Sequence, residues 1–204
     1  MSKGSCLCGS VTWETLAEPY AMYNCHCRMC QKAHGTGFGT YCFFTGGQVR
    51  WTSSTDKIVH YRSSEVLVRN SCDVCGSVVP YPNELGDHWV APGGCHEDMR
   101  KSDYNIFVVD NSPWHTINGD LPRHDAYPEE SGIPSVEGLP VPKKAEGPVG
   151  GSCLCGAVTY KVTEPFKVAH NCHCSRCRHG RAAAHASNAF VSLDGVEFLS
   201  GEDR

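Results

Sequence analysis

Apolar and polar residues alternate over SVTWET (10–15), and the alternation returns in AVTYKVT (157–163). A period of two puts successive side chains on opposite faces of a half-buried strand. EVLVRN (65–70) and YNIFVV (104–109) add short runs of branched and aromatic residues suited to buried strands. Glycines and prolines interrupt the chain at short intervals. No segment carries a 3.6-residue apolar stripe of helical length. The pattern predicts an all-β protein with tight turns.

The pattern also repeats. GSCLCGSVTW (4–13) returns as GSCLCGAVTY (151–160), and NCHCRMC (24–30) as NCHCSRC (171–177). Cys6 and Cys153 are 147 positions apart, as are Cys25 and Cys172, and Phe43/Phe190, Val49/Val196 and Asp56/Asp203 keep that offset. Between the copies, EESGIPSVEGLPVPKKAEGP (129–148) is rich in Pro, Gly and Glu and reads as a linker. The expected organisation is a complete domain over 3–128, a linker over 129–149 and the first half of a second domain over 150–204. Counterparts of Cys72 and Cys75 would fall 147 positions on, at 219 and 222, beyond residue 204. The second copy is therefore expected to be incomplete, as a truncated module. A half-module that pairs with another chain is the less favoured reading, because half a core buries little apolar area.

Charge narrows the function classes. A formal charge of −4 with mixed signs offers no basic face for nucleic acid or an anionic membrane. No apolar run approaches the ~20 residues that span a bilayer. MSKGSCLCGS lacks the apolar segment of a secretory signal. The reading is a cytoplasmic protein without nucleic-acid or membrane partners. Fourteen cysteines change the picture further. Most lie one or two residues from another, a spacing poorly placed for disulfides but suited to aiming two thiolates at one metal. In a reducing compartment that points to zinc.

The first copy holds Cys6/Cys8, Cys25/Cys27/Cys30 and Cys72/Cys75. A closed tetrahedral site takes four ligands. Joining Cys6 and Cys8 to Cys72 and Cys75 makes a four-thiolate structural site that closes a long loop, with Gly9 and Gly76 after the two pairs. Cys25, Cys27 and Cys30 then form a three-ligand centre, the pattern of a catalytic zinc with an open position. A fourth ligand from His26, His34, Cys42 or Cys95 is the alternative. His26 is expected to point away, Cys42 to be a buried inert thiol, and Cys95 to sit in a loop.

GSCLCGSV, CHCRMCQKAHG and CDVCGS, followed by NSPWHTINGDLPRHDAYP, resemble the glutathione-dependent formaldehyde-activating enzyme family, also called the centromere protein V/GFA domain. The resemblance covers the first copy and the first half of a domain in the second. It implies several small antiparallel sheets around a structural zinc, similar to a small zinc-dependent Rab chaperone. It implies Cys6, Cys8, Cys72 and Cys75 as structural ligands and Cys25, Cys27 and Cys30 as catalytic-site ligands. In the second copy Cys153, Cys155, Cys172, Cys174 and Cys177 transfer. Where the family has an acidic LD-type stretch, this chain reads APGGCHEDM (91–99).

The implied cofactor is zinc, two ions in the complete copy and a further site in the second. The implied activity is that of a zinc-dependent carbon–sulfur lyase of the S-(hydroxymethyl)glutathione synthase type, with glutathione and an aldehyde as partners. A free thiol is only a few per cent thiolate at neutral pH, which an open metal position would correct. His34 is the candidate proton donor. Arg28, Lys32, Arg176, Arg178 and Arg181 flank the triads and are candidates for meeting glutathione carboxylates. The competing hypothesis is a non-catalytic zinc-stabilised binding module.

Overall fold

The computed structural model describes residues 1–65, 67–83, 86–131, 133 and 149–203. Most of the expected linker, 129–149, lies outside the described residues.

The first copy begins with β1 (Ser2–Ser5), β2 (Thr12–Thr15), β3 (Ala21–Cys25), α1 (Arg28–His34), β4 (Gly39–Thr45) and β5 (Val49–Trp51). It continues with β6 (Ile58–Ser64), β7 (Leu67–Cys72), β8 (Val78–Val79), β9 (Tyr81–Asn83), β10 (His88–Pro92), β11 (Tyr104–Ile106) and β12 (Arg123–His124). Among the described residues these form three sheets, ordered β1-β2-β5, β12-β11-β3-β4-β10-β9 and β6-β7-β8. The expected small sheets are therefore present, with one difference: β11 runs parallel to both β3 and β12. The long excursion between β3 and β11 allows the crossover that a parallel pair needs. Tyr23 on β3 stacks on Phe43 and Tyr104, ring centroids 4.7 and 5.5 Å apart, and anchors the six-stranded sheet.

The second copy contains β13 (Val149–Ser152), β14 (Thr159–Val162), β15 (Val168–Cys172), α2 (Ser175–Arg181), β16 (Ala186–Phe190) and β17 (Val196–Ser200). Its pairings repeat the first copy's at the same offset. Ser2 faces Thr15 as Val149 faces Val162, and Cys25 faces Gly39 as Cys172 faces Ala186. Gly4 lies under the Trp13 ring and Gly151 under the Tyr160 ring, where a Cβ would overlap the aromatic. The surroundings differ. β3 and β4 are flanked by β11 and β10, whereas β15 and β16 form a two-stranded sheet. Phe43 is 6% exposed and its counterpart Phe190 is 49% exposed.

The two short helices follow from the cysteine clusters rather than from an apolar stripe. Cys27 occupies the N-cap of α1 and its Sγ accepts a hydrogen bond from the Cys30 N–H. Gly35 ends the helix with φ 59°, the left-handed turn that glycine adopts most readily.

The copies dock through equivalent positions. His34 meets Arg181, and Phe38 meets His185 with centroids 5.3 Å apart; both pairs are separated by 147 residues. His26 packs on Phe38 at 5.1 Å as His173 packs on His185 at 5.2 Å. These contacts describe a pseudo-twofold relation. Arg178 adds an ion pair to Glu97, 2.6 Å. The backbone of Ala183 lies so close to Gly94 that a side chain there would collide with it.

Candidate metal centres and active site

Two turns build the first cysteine group. Cys6 and Cys8 leave β1, and Cys72 and Cys75 leave β7. The thiols of Cys6, Cys8, Cys72 and Cys75 all lie within 4.8 Å of one another. Cys6–Cys8 and Cys8–Cys72 sulfur distances are 3.5 and 3.8 Å. Ligands about 2.3 Å from a tetrahedral zinc lie about 3.8 Å apart, so the donor set fits that ion. Gly9 and Gly76 turn with φ 78° and 72°, which lets each knuckle close. Burial pushes the Cys6 thiol up to about 12, and Cys75, despite its own partial burial, is held at about 6 by hydrogen bonds from Ser77.

Cys25, Cys27 and Cys30 form a separate group within the same distance limit. β3 delivers Cys25 and α1 delivers Cys30. All three are buried, at 4%, 6% and 5% exposure. Cys30 is held well below an ordinary thiol by hydrogen bonds from Cys25 and Cys27, and further by the Arg69 guanidinium. No other His, Cys, Asp or Glu among the described residues joins this group. Cys172, Cys174 and Cys177 form the equivalent group in the second copy, and it is more exposed. Cys153 and Cys155 have sulfurs 3.4 Å apart and belong to no larger group among the described residues.

The remaining candidates fall into distinct settings. His26 is buried beside Asn105 and Asn111, with its ring nitrogens 3.1 and 3.3 Å from their amide oxygens. His34 is also buried, and its Nδ1–H donates to the Arg181 carbonyl at 2.7 Å. Its Nε2 therefore accepts from the Tyr41 hydroxyl, 2.8 Å away. Burial lowers His34 to about 4 and keeps it neutral. Cys42 is buried within β4 and pushed up to about 12 by that burial. Cys95 is buried and raised for the same reason. Lys32 bonds the Ser152 hydroxyl, Arg28 bonds Gln31 and Arg178 pairs with Glu97.

A cavity of about 590 Å³ lies on the face of β3 and β4 opposite Cys25, and none of the triad cysteines lines it. Asn24, the chain neighbour of Cys25, lines it with Phe38, Thr40, Lys101, Ser102 and the second copy's Ala184. Thr40 and Ser102 donate to the Asn24 amide oxygen at 2.9 and 3.1 Å. Sequence reasoning missed two elements here. Lys101 and Ser102 carry no motif. Arg69, in the strand run EVLVRN, reads as a polar strand position but is buried against Cys30.

No helix among the described residues is long and apolar enough to cross a membrane. No curated protein matches the chain. A crystal structure of a Rhodobacter sphaeroides protein superposes with a TM-score of 0.41 at 15% identity, over 59% of this chain and 98% of that one. The profile of the glutathione-dependent formaldehyde-activating enzyme family matches residues 1–110 and 148–204. Both matched segments carry the cysteine groups just described, and the chain belongs to that family.

Proposed function

We propose that the first copy is a carbon–sulfur lyase of the S-(hydroxymethyl)glutathione synthase type, reversibly adding the glutathione thiol to formaldehyde. The carrying observation is the contrast between the two groups of the first copy: four thiols around one point, and three around the other. Zinc held by Cys25, Cys27 and Cys30 would supply one position for a substrate atom and favour the thiolate form of a coordinated thiol.

The reaction balances without an oxidant. The glutathione sulfur forms a bond to the formaldehyde carbon, the carbonyl π pair moves to oxygen, and that oxygen takes the proton lost by the thiol. His34, neutral and fixed at both ring nitrogens, holds Tyr41 in place beside the centre.

The deep burial of the triad favours one second reading, a zinc-stabilised binding module without turnover. Exchange NMR on formaldehyde and glutathione separates the two. The lyase reading predicts faster exchange with protein than in buffer, and loss of the acceleration in Cys27→Ser. Exchange at the buffer rate, or acceleration that survives Cys27→Ser, rejects it.

A further inference from the structure

Arg69 is a guanidinium at 4% exposure on β7. Burying a charge is costly unless another charge or dense hydrogen bonding compensates it. Among the described residues no carboxylate lies within ion-pair distance of Arg69, and its Nε has no hydrogen-bond partner. Its remaining nitrogens have two. Nη1 donates to the Tyr41 hydroxyl at 3.1 Å, and Nη2 donates to the Cys30 sulfur at 3.5 Å.

The hydrogen bonds around it have one consistent direction. The Arg181 carbonyl can only accept, so His34 Nδ1 carries the proton and Nε2 accepts from Tyr41. Tyr41 spends its only proton on His34, so its oxygen is left to accept from Arg69. Arg69 then has its second arm free for Cys30. The chain of bonds runs from the backbone of the second copy to a sulfur of the first copy's triad.

We infer that Arg69 is the built-in counter-charge of the Cys25/Cys27/Cys30 centre, a positioning residue that fixes the Cys30 sulfur and offsets the net negative charge of a three-thiolate metal centre there. The inference rests on reading that triad as a metal centre. Three thiolates around a divalent zinc carry a net charge of −1, and one guanidinium brings it to zero. A neutral centre withdraws electrons from a bound substrate atom more strongly than an anionic one. A hydrogen bond to a ligand sulfur also removes electron density from it, as outer contacts to metal ligands generally do.

The test uses the full chain with Cys174→Ser, which disables the second triad, loaded with cobalt(II) as the spectroscopic probe. Arg69→Gln is expected to release cobalt from the first triad to a chromophoric chelator about 10- to 100-fold more readily. Its thiolate-to-cobalt charge-transfer band should shift, while the Cys6/Cys8/Cys72/Cys75 site keeps its metal and spectrum. Arg69→Lys keeps the charge and should restore most of the retention. Tyr41→Phe, which removes the other anchor of the guanidinium, should shift the band in the same direction by less. Wild-type retention and spectrum in Arg69→Gln overturn the inference alone. Failure of Arg69→Lys to restore retention overturns the counter-charge role. A wild-type triad that takes up no cobalt overturns both this inference and the metal reading of the triad.

Discussion

Ala182 occupies in the second copy the backbone position that Gly35 occupies in the first. Both end a helix in the left-handed region, at φ 51° and 59°. For a residue with a Cβ that conformation costs about 1–2 kcal/mol. The Ala182 methyl is fully buried, and burying such a group returns about 0.8 kcal/mol. Gly35→Ala is therefore expected to destabilise the chain by about 1 kcal/mol. Ala182→Gly should stabilise it by less than that. Urea unfolding of the two variants checks both signs, and equal effects would refute the account.

Gly94 sets how closely the copies meet. Gly94→Val should separate the second copy from the first, because the obstacle is the Ala183 backbone rather than a movable side chain. The expected signs are faster proteolysis within 149–203 and a changed NMR signal for His34, whose Nδ1 partner is the Arg181 carbonyl. An unchanged protease pattern would show that the interface tolerates the insertion.

The four-thiol site should respond very differently from its repeat. Cys8→Ser removes one of four converging thiols; with zinc held there, it is expected to cost several kcal/mol and one metal per chain. Cys155→Ser changes the equivalent position, where only Cys153 lies alongside among the described residues, and should cost less than about 0.5 kcal/mol. Thermal melts and metal analysis on both variants decide this.

Acid should destabilise the fold through buried neutral histidines. Burial lowers His96 to about 4, against about 6.5 in an unfolded chain. Below pH 6.5 the unfolded chain binds a proton that the folded chain refuses. The stability is thus present above 6.5 and falls as pH drops towards 4, at up to about 1.4 kcal/mol per pH unit for one histidine. His96 Nε2 accepts from Trp13 Nε1 at 3.0 Å, so protonation removes that bond. His96→Gln should flatten the urea-stability slope between pH 6.5 and 5 by about one proton. His34 and His185, also lowered to about 4 by burial, keep the slope from reaching zero.

Much of the fold was legible because repetition is visible without knowing any contact. The offset that aligns Cys6 with Cys153 also aligns Gly4 with Gly151 and Trp13 with Tyr160, and the structure places each glycine beneath its ring. Counting thiols anticipated which cysteines the structure brings together, since tetrahedral geometry limits the choices. The short helices were not legible, since α1 is seeded by a sulfur accepting from the Cys30 N–H rather than by apolar spacing. The parallel pairing of β3 with β11 depends on a chain reversal far along the sequence. Arg69 was hidden because alternation records which face of β7 a side chain takes, not whether that face meets water or a cluster of thiols.

The pseudo-twofold contact has a consequence for assembly. A surface that meets its own repeat through His34/Arg181 and Phe38/His185 has the self-complementary character of a symmetric dimer interface. Joining the two halves covalently converts that encounter into an intramolecular one. The chain thus carries a dimer-like association within one polypeptide, formed at a strength that no longer depends on how much protein is present.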